Sequence, residues 1–224
     1  MQAKPLLRDI FGFDSFRPGQ EEIVSAVASG SNVLAIMPTG GGKSLCFQLP
    51  ALMRGGITLV VSPLIALMRD QVRSLREVGV EAHALTSGNT AEETESVWQA
   101  LADNTLKLLY IAPERLASQG TLPMLRRAGV SLIAVDEAHC VSQWGHDFRP
   151  DYLRIGELRT ALDVPLAAFT ATADAETQEE IVQKLFGNQR PQVFLSSFDR
   201  PNIRLAFQPK DQPRAQILSF AAAR

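Results

Sequence analysis

Two short stretches carry residues whose types and spacing could do chemistry. "IMPTGGGKSLCF" sets Gly40, Gly41 and Gly42 directly before Lys43 and Ser44. Three residues without a Cβ let backbone N–H groups turn inward and approach an anion closely. Lys43 can then neutralise β/γ-phosphates as a point charge, and Ser44 can offer its hydroxyl to Mg²⁺. A helix opening at this point adds its own partial positive charge. The strict phosphate-loop pattern, G-x-x-x-x-G-K-[ST], begins with glycine, whereas Met37 stands there in this chain. Taken alone, the stretch could also be a glycine turn beside a solvent-facing Lys-Ser pair.

The second stretch is "AVDEAH", with Asp136, Glu137 and His139 just after an apolar run. Carboxylates at the end of a parallel strand beside the phosphate loop face the crevice where such sheets bind ligands. Asp136 is expected to hold Mg²⁺, and Glu137 to orient and deprotonate an attacking water. A lone Asp-Glu pair would read as a solvated turn; together with the glycine run it points to nucleotide hydrolysis. The segment that follows, "CVSQWGHDFRPDY", concentrates Trp144, His146, Phe148, Arg149 and Tyr152 where turn residues would be usual. Rings in such a place either plug their own domain or wait for a ligand.

These groups need a scaffold. Apolar runs at 32–37, 57–62, 107–112, 131–136, 165–170 and 192–197 show little alternation, as strands buried on both faces of a parallel sheet do. Helical patterns lie between them. In "LIALMRDQVRSLREVG", Leu64, Leu67, Met68, Val72, Leu75 and Val78 share one 3.6-residue face, and Gly79 supplies a stop. Thr90 with Glu93 forms a capping-box pattern, and Trp98 is expected on the buried face beside Val97 and Leu101. Asp174 should cap a helix ending near Gly187. Alternating strands and helices imply an α/β domain, doubly wound, with helices on both faces of a mainly parallel sheet. Residues 1–197 read as that domain. Residues 198–224 differ, with a Pro-punctuated bend, a short strand and the start of a helix, and read as a lead-in to something further.

The chain has 224 residues, 46% of them hydrophobic, and a formal net charge of -2. Nothing global therefore advertises nucleic acid or an anionic membrane, so such binding would rest on local arrangement. Its two cysteines, Cys46 and Cys140, support neither a disulfide framework nor a zinc site. A reducing, cytoplasmic setting is the expectation, without secretory signal or membrane-spanning run.

Several separate motifs resemble the first motor domain of RecQ-type DNA helicases, nearly end to end. "LRDIFGFDSFRPGQEEI" is similar to that family's adenine-recognition pattern at Leu7, Phe11, Gly12, Phe16, Arg17, Gln20 and Ile23. Gln20 can pair with an adenine edge, and Phe13 and Arg17 can sandwich the base. Thr39 joins the phosphate loop in this reading.

"SPLIALMRDQV" resembles a motif that contacts a DNA phosphate, through Ser62 and the following amides. "APERL" with Arg115 resembles a second. "TAT", Thr170 to Thr172, resembles the motif that couples ATP state to domain movement, and "SSFDRPNI" the bridge to a second motor domain.

The resemblance makes the ring-rich segment a loop that senses single-stranded DNA, with Trp144 and Phe148 on bases or sugars and His146 and Arg149 relaying binding to the ATP site. It implies a RecA-like P-loop NTPase domain using ATP and Mg²⁺, acting with a second RecA-like domain in cis on single-stranded and partly duplex DNA. It also implies 3′→5′ travel in DNA repair and recombination, and a 224-residue piece that binds ATP, hydrolyses it weakly and does not unwind. Two other readings stay open: a different P-loop translocase, and a nucleotide-gated single-strand-binding module without motor activity.

Overall fold

Seven short strands lie side by side in the computed structural model, which describes residues 2–143, 147–196, 207 and 209–222. They are β1 (Val33–Ile36), β2 (Ile57–Val61), β3 (Ala82–Leu85), β4 (Leu108–Ile111), β5 (Val130–Val135), β6 (Leu166–Thr170) and β7 (Gln192–Leu195). Their order is β3-β4-β2-β5-β6-β1-β7, and every pairing is parallel. Six match the apolar runs. The seventh, β3, escapes sequence reading because "AHAL" has neither β-branched residues nor strong hydrophobicity; tertiary pairing with β4 makes it a strand.

Successive side chains point to opposite faces, and each face has its own core. Leu34, Ile36, Leu59, Val61, Ile133 and Val135 pack on one side. Val33, Ala35, Val60, Ala134, Ala167 and Phe169 pack on the other. The second face carries α1 (Ala3–Phe11), α2 (Gln20–Ala28), α3 (Leu45–Met53) and α4 (Ile65–Glu77). There Phe47 of α3 meets Phe169 of β6, with ring centroids 5.4 Å apart at a 56° tilt. The first face carries α5 (Ala91–Ala102), α6 (Thr121–Arg127), α7 (Arg154–Leu162) and α8 (Ala175–Ile181).

Local signals set several boundaries. Thr90 Oγ1 accepts from the Glu93 N–H at 3.1 Å, and the Glu93 carboxylate accepts from the Thr90 N–H at 2.9 Å, completing the capping box of α5. Asp174 accepts from the Thr177 N–H at 2.8 Å, and these bonds hold its carboxyl below the usual carboxylate range.

Two expected burial patterns differ. Trp98 is 40% exposed: the inward stripe of α5 is centred on Val97 and Ala100, which turns Trp98 onto the flank. On α4, Met68, Val72 and Leu75 are buried, but Leu64, Leu67 and Val78 are exposed, so that face is narrower than its periodicity implies. Residues 197–206 lie outside the described residues. Beyond them Pro213–Ala222 forms α9, which contributes nothing to the core.

α8 runs into a single π turn, Val182–Phe186, that packs against α7. A Cβ on Gly156 of α7 would sit 2.4 Å from the Lys184 carbonyl oxygen. Gly156→Ala should therefore force α7 and the π turn apart and cost about 1–3 kcal/mol, read as a lower urea midpoint. An unchanged midpoint would mean the contact is soft.

Candidate nucleotide site

The glycine loop follows β1 and opens α3. Gly40 and Gly42 both take positive φ, 80° and 81°, where an L side chain would be strained. A Cβ at 42 would also press on the Gln20 amide, which would have to move aside. Gln20 is only 2% exposed. Its Oε1 accepts from the Arg17 N–H at 2.8 Å, and its Nε2 donates to the Gly41 and Gly42 carbonyls at 3.3 and 3.2 Å. The Arg17 guanidinium donates to the Gly40 carbonyl. Arg17, just before α2, and Gln20, its first residue, thus brace the glycine loop from a distant part of the sequence. Beside them, Phe13 (52% exposed), Ser15, Arg17, Gln20, Gly42 and Leu45 line a cleft of about 130 Å³. Lys43 Nζ donates to the Met37 carbonyl at 3.4 Å, so the lysine folds back over the loop.

Asp136 and Glu137 stand at the end of β5. That strand is not next to β1, as the sequence reading had it, because β6 lies between them. The insertion has a consequence. Thr170, the last residue of β6 and fully buried, accepts at its carbonyl from the Met37 N–H at 3.0 Å. Its hydroxyl lies 2.9 Å from His139 Nδ1 and donates to the Thr172 carbonyl at 3.0 Å. The Thr-Ala-Thr segment therefore sits between the two chemical stretches and touches both.

Asp136 is 5% exposed. Burial first, and the neighbouring Glu137 carboxylate second, push its pKa up to about 6, while the Glu137 N–H, Lys43 and Ser62 pull the other way. The Glu137 N–H donates to Asp136 Oδ1 at 3.0 Å and Ser62 Oγ to Oδ2 at 3.4 Å. Glu137 adopts a left-handed backbone, φ 48° and ψ 49°, a strained conformation for a residue with a Cβ. Its Oε2 lies 3.3 Å from His139 Nδ1. Ser44 makes no capping bond with its side chain.

The ring-rich segment is placed in part; Trp144 and His146 lie outside the described residues. Arg149 Nη1 donates to the Pro63 carbonyl at 3.2 Å, just before α4, and Phe148 is half-buried. Tyr152 is fully buried and donates its hydroxyl to the Asp136 carbonyl at 3.0 Å, bracing the carboxylate strand end from beneath.

Ser62 is a correction: its side chain is 2% exposed and turned toward Asp136, so the hydroxyl does not face a surface where DNA could reach it. Sequence reading also passed over Gln48, Gln71 and Tyr110, whose polar ends meet inside the domain. The available signal was a glutamine inside the otherwise apolar run "LCFQLPALM".

A glycine loop at the end of β1, carboxylates at the end of β5 and a parallel sheet with helices on both faces define a RecA-like P-loop domain. The chain belongs to the DEAD/DEAH box helicase family, whose pattern matches residues 17–181. It is 46% identical over 222 residues to the ATP-dependent DNA helicase RecQ of Haemophilus influenzae, which covers 99% of this chain and 36% of that protein. The RecQ of Pasteurella multocida is 47% identical over 219 residues, covering 97% and 34%. The chain thus spans about a third of the length of these relatives.

Among solved structures, the Pyrococcus furiosus Hef helicase domain superposes with a TM-score of 0.65 at 24% identity, covering 87% of this chain and 40% of that one. The Mycobacterium smegmatis helicase Lhr bound to ssDNA and AMP-PNP gives 0.65 at 25% identity, covering 86% and 27%.

The elevated Asp136 pKa has a sign that can be tested. Because the folded-state value of about 6 lies above the ordinary 3.8, the native state holds this proton more tightly than the unfolded chain. The contribution is fully present below about pH 4 and is lost as pH rises through 6. Above that, the buried charge costs on the order of 2–3 kcal/mol. Asp136→Asn should raise the urea midpoint at pH 7.5 in EDTA, and the gain should shrink as pH falls through 6 and vanish only below about pH 4. A pH-independent difference would contradict the assignment.

Proposed function

We propose that the chain is the ATP-binding motor domain of a RecQ-type DNA helicase. In this reading the glycine loop and Lys43 hold the phosphates, and the Phe13–Arg17–Gln20 cleft holds the adenine. The observation that carries it is the buried junction of Thr170 with Met37 and His139, which ties the phosphate loop to the strand end bearing Asp136 and Glu137.

The residues present fit a divalent cation. Asp136 is a carboxylate held out of water with only two weak-to-moderate donors on it, and the Ser44 hydroxyl is not used for capping. Mg²⁺ there would neutralise charge on the β/γ-phosphates. Glu137, strained and a quarter exposed at its side chain, is left to orient a water and take its proton. His139 holds both Glu137 and Thr170 in place.

The DNA-facing surface in this reading is the start of α4 with the segment ending at Arg149. Leu64 and Ile65 are exposed there, and Arg149 reaches across to the Pro63 carbonyl. Trp144 and Phe148 would stack on bases, each worth about 1–3 kcal/mol, and His146 and Arg149 would relay binding toward Glu137. Arg115, in the 3-10 turn Pro113–Ala117, is a further phosphate contact in this reading.

A second RecA-like domain in cis, reached through residues 198–224, would close the cleft and supply an arginine finger, an effect worth about 10³–10⁵-fold in rate in comparable systems. The 224-residue chain alone then binds Mg-ATP, turns it over slowly and does not separate strands.

Two variants test the assignment. Lys43→Ala should weaken binding of a fluorescent ATP analogue by about ten- to a hundredfold, the loss of a charge-assisted contact. Glu137→Gln should leave that binding intact. In a chain carrying both motor domains it should lower ATP turnover by about 10²–10⁴-fold. Nucleotide affinity indifferent to Lys43 would sink the proposal.

A further inference from the structure

We propose that Gln48, Tyr110 and Gln71 are positioning residues that tie the phosphate-loop helix α3 to α4, so that a change at the glycine loop must move the start of α4. This deepens the reading above and rests on it, since that end of α4 is the surface assigned to nucleic acid.

The three polar ends converge where α3, β4 and α4 meet, with Gln48 and Tyr110 buried and Gln71 half-buried. Gln48 Nε2 donates to Tyr110 Oη at 3.0 Å and to Gln71 Oε1 at 3.3 Å, and the Tyr110 hydroxyl donates to Gln71 Oε1 at 2.8 Å. Gln48 is 8% exposed and Tyr110 1%. Each belongs to a different element. Gln48 lies in α3, little more than one turn past Lys43; Tyr110 is in β4 and Gln71 in the middle of α4.

Burying an amide is costly unless it is bonded, and an apolar trio would fill the same space without that cost. What the polar trio adds is direction: its bonds hold at one helix–helix register and break at others. Burial pushes the Tyr110 phenol well above its ordinary value, so the hydroxyl keeps its proton and remains a donor.

A second tether acts just before the start of the same helix. Ser62, three residues before α4, donates to Asp136. With Gln71 bound to α3 and Ser62 bound to the catalytic strand end, α4 is held to the nucleotide site at two points. Docking α4 on apolar contacts alone (Met68, Val72 and Leu75) would let it slide. The geometry permits that less.

The test uses the chain as it stands, with Mg²⁺ and AMP-PNP as probe and hydrogen exchange as readout. In the wild type, AMP-PNP should slow exchange of the α4 amides by about fivefold or more, the lower end of ordinary coupling between sites. Gln71→Met should bind AMP-PNP as the wild type does, yet lose the α4 response.

The triple variant Gln48→Met, Tyr110→Phe, Gln71→Met refills the space with apolar groups, so its urea midpoint should stay near wild type while the α4 response is still absent. That separates tethering from mere packing. Tyr110→Phe alone, which deletes one oxygen, should weaken the response without altering affinity. A full α4 response in either methionine variant overturns the tether, as does no response in a wild type that binds AMP-PNP. Failure of the wild type to bind AMP-PNP overturns the nucleotide reading itself, and the tether with it.

Discussion

A carboxylate kept out of water at the end of β5 constrains nearly everything around it. Asp136 cannot be buried cheaply, and burial together with the Glu137 carboxylate raises its pKa. The neighbours are arranged to make it tolerable: the Glu137 amide and the Ser62 hydroxyl donate to its oxygens, and Lys43 lies near enough to favour its charge. Tyr152 fixes the backbone carbonyl of the same residue. These four groups come from β5's own turn, the start of α4, the phosphate loop and the end of the ring-rich segment. Assembling one awkward charge therefore pins four elements to a single point, without needing a large interface among them.

The order of the strands matters as much as the residues. With β6 between β1 and β5, the phosphate loop and the carboxylates cannot touch through adjacent backbone. Thr170 fills the gap and uses both its carbonyl and its hydroxyl, one toward Met37 and one toward His139. A buried threonine with both polar groups engaged is sensitive to small displacements on either side. That gives the Thr-Ala-Thr segment a physical reason to follow the state of the phosphate loop, which as plain sequence was only a threonine-rich strand end.

The fold was largely legible because buried parallel strands write themselves as apolar runs, and because Thr90 and Asp174 mark helix starts chemically. β3 was not legible: "AHAL" becomes a strand only by pairing with β4. The glycine–lysine stretch and the paired carboxylates were legible as motifs, each standing just after an apolar run that forms a strand. What sequence could not supply was direction. Ser62 looked like a surface serine at a helix start, yet it points inward at Asp136. Trp98 looked buried by its neighbours and is not. Both misreadings come from treating a helix face as known before its partner is placed; the angle between α4 or α5 and the sheet decides which neighbour of a buried residue is covered.

The ring-rich segment is anchored locally. Its base is fixed at both ends by described residues. Ser142 Oγ and the Gln143 N–H both donate to the Glu180 carboxylate, at 2.5 and 3.0 Å, on α8. At the other end Arg149 bonds Pro63, its own N–H donates to the Cys140 carbonyl at 2.9 Å, and Tyr152 bonds Asp136. One stem therefore rests on the helix that follows Thr-Ala-Thr, and the other on the residues that open α4 and on the strand end bearing Asp136. A pull on this segment would load α8 and the start of α4 together. Displacement of this segment would then be felt at the carboxylate strand end without a long pathway, provided that Glu180, Pro63 and Asp136 resist it together.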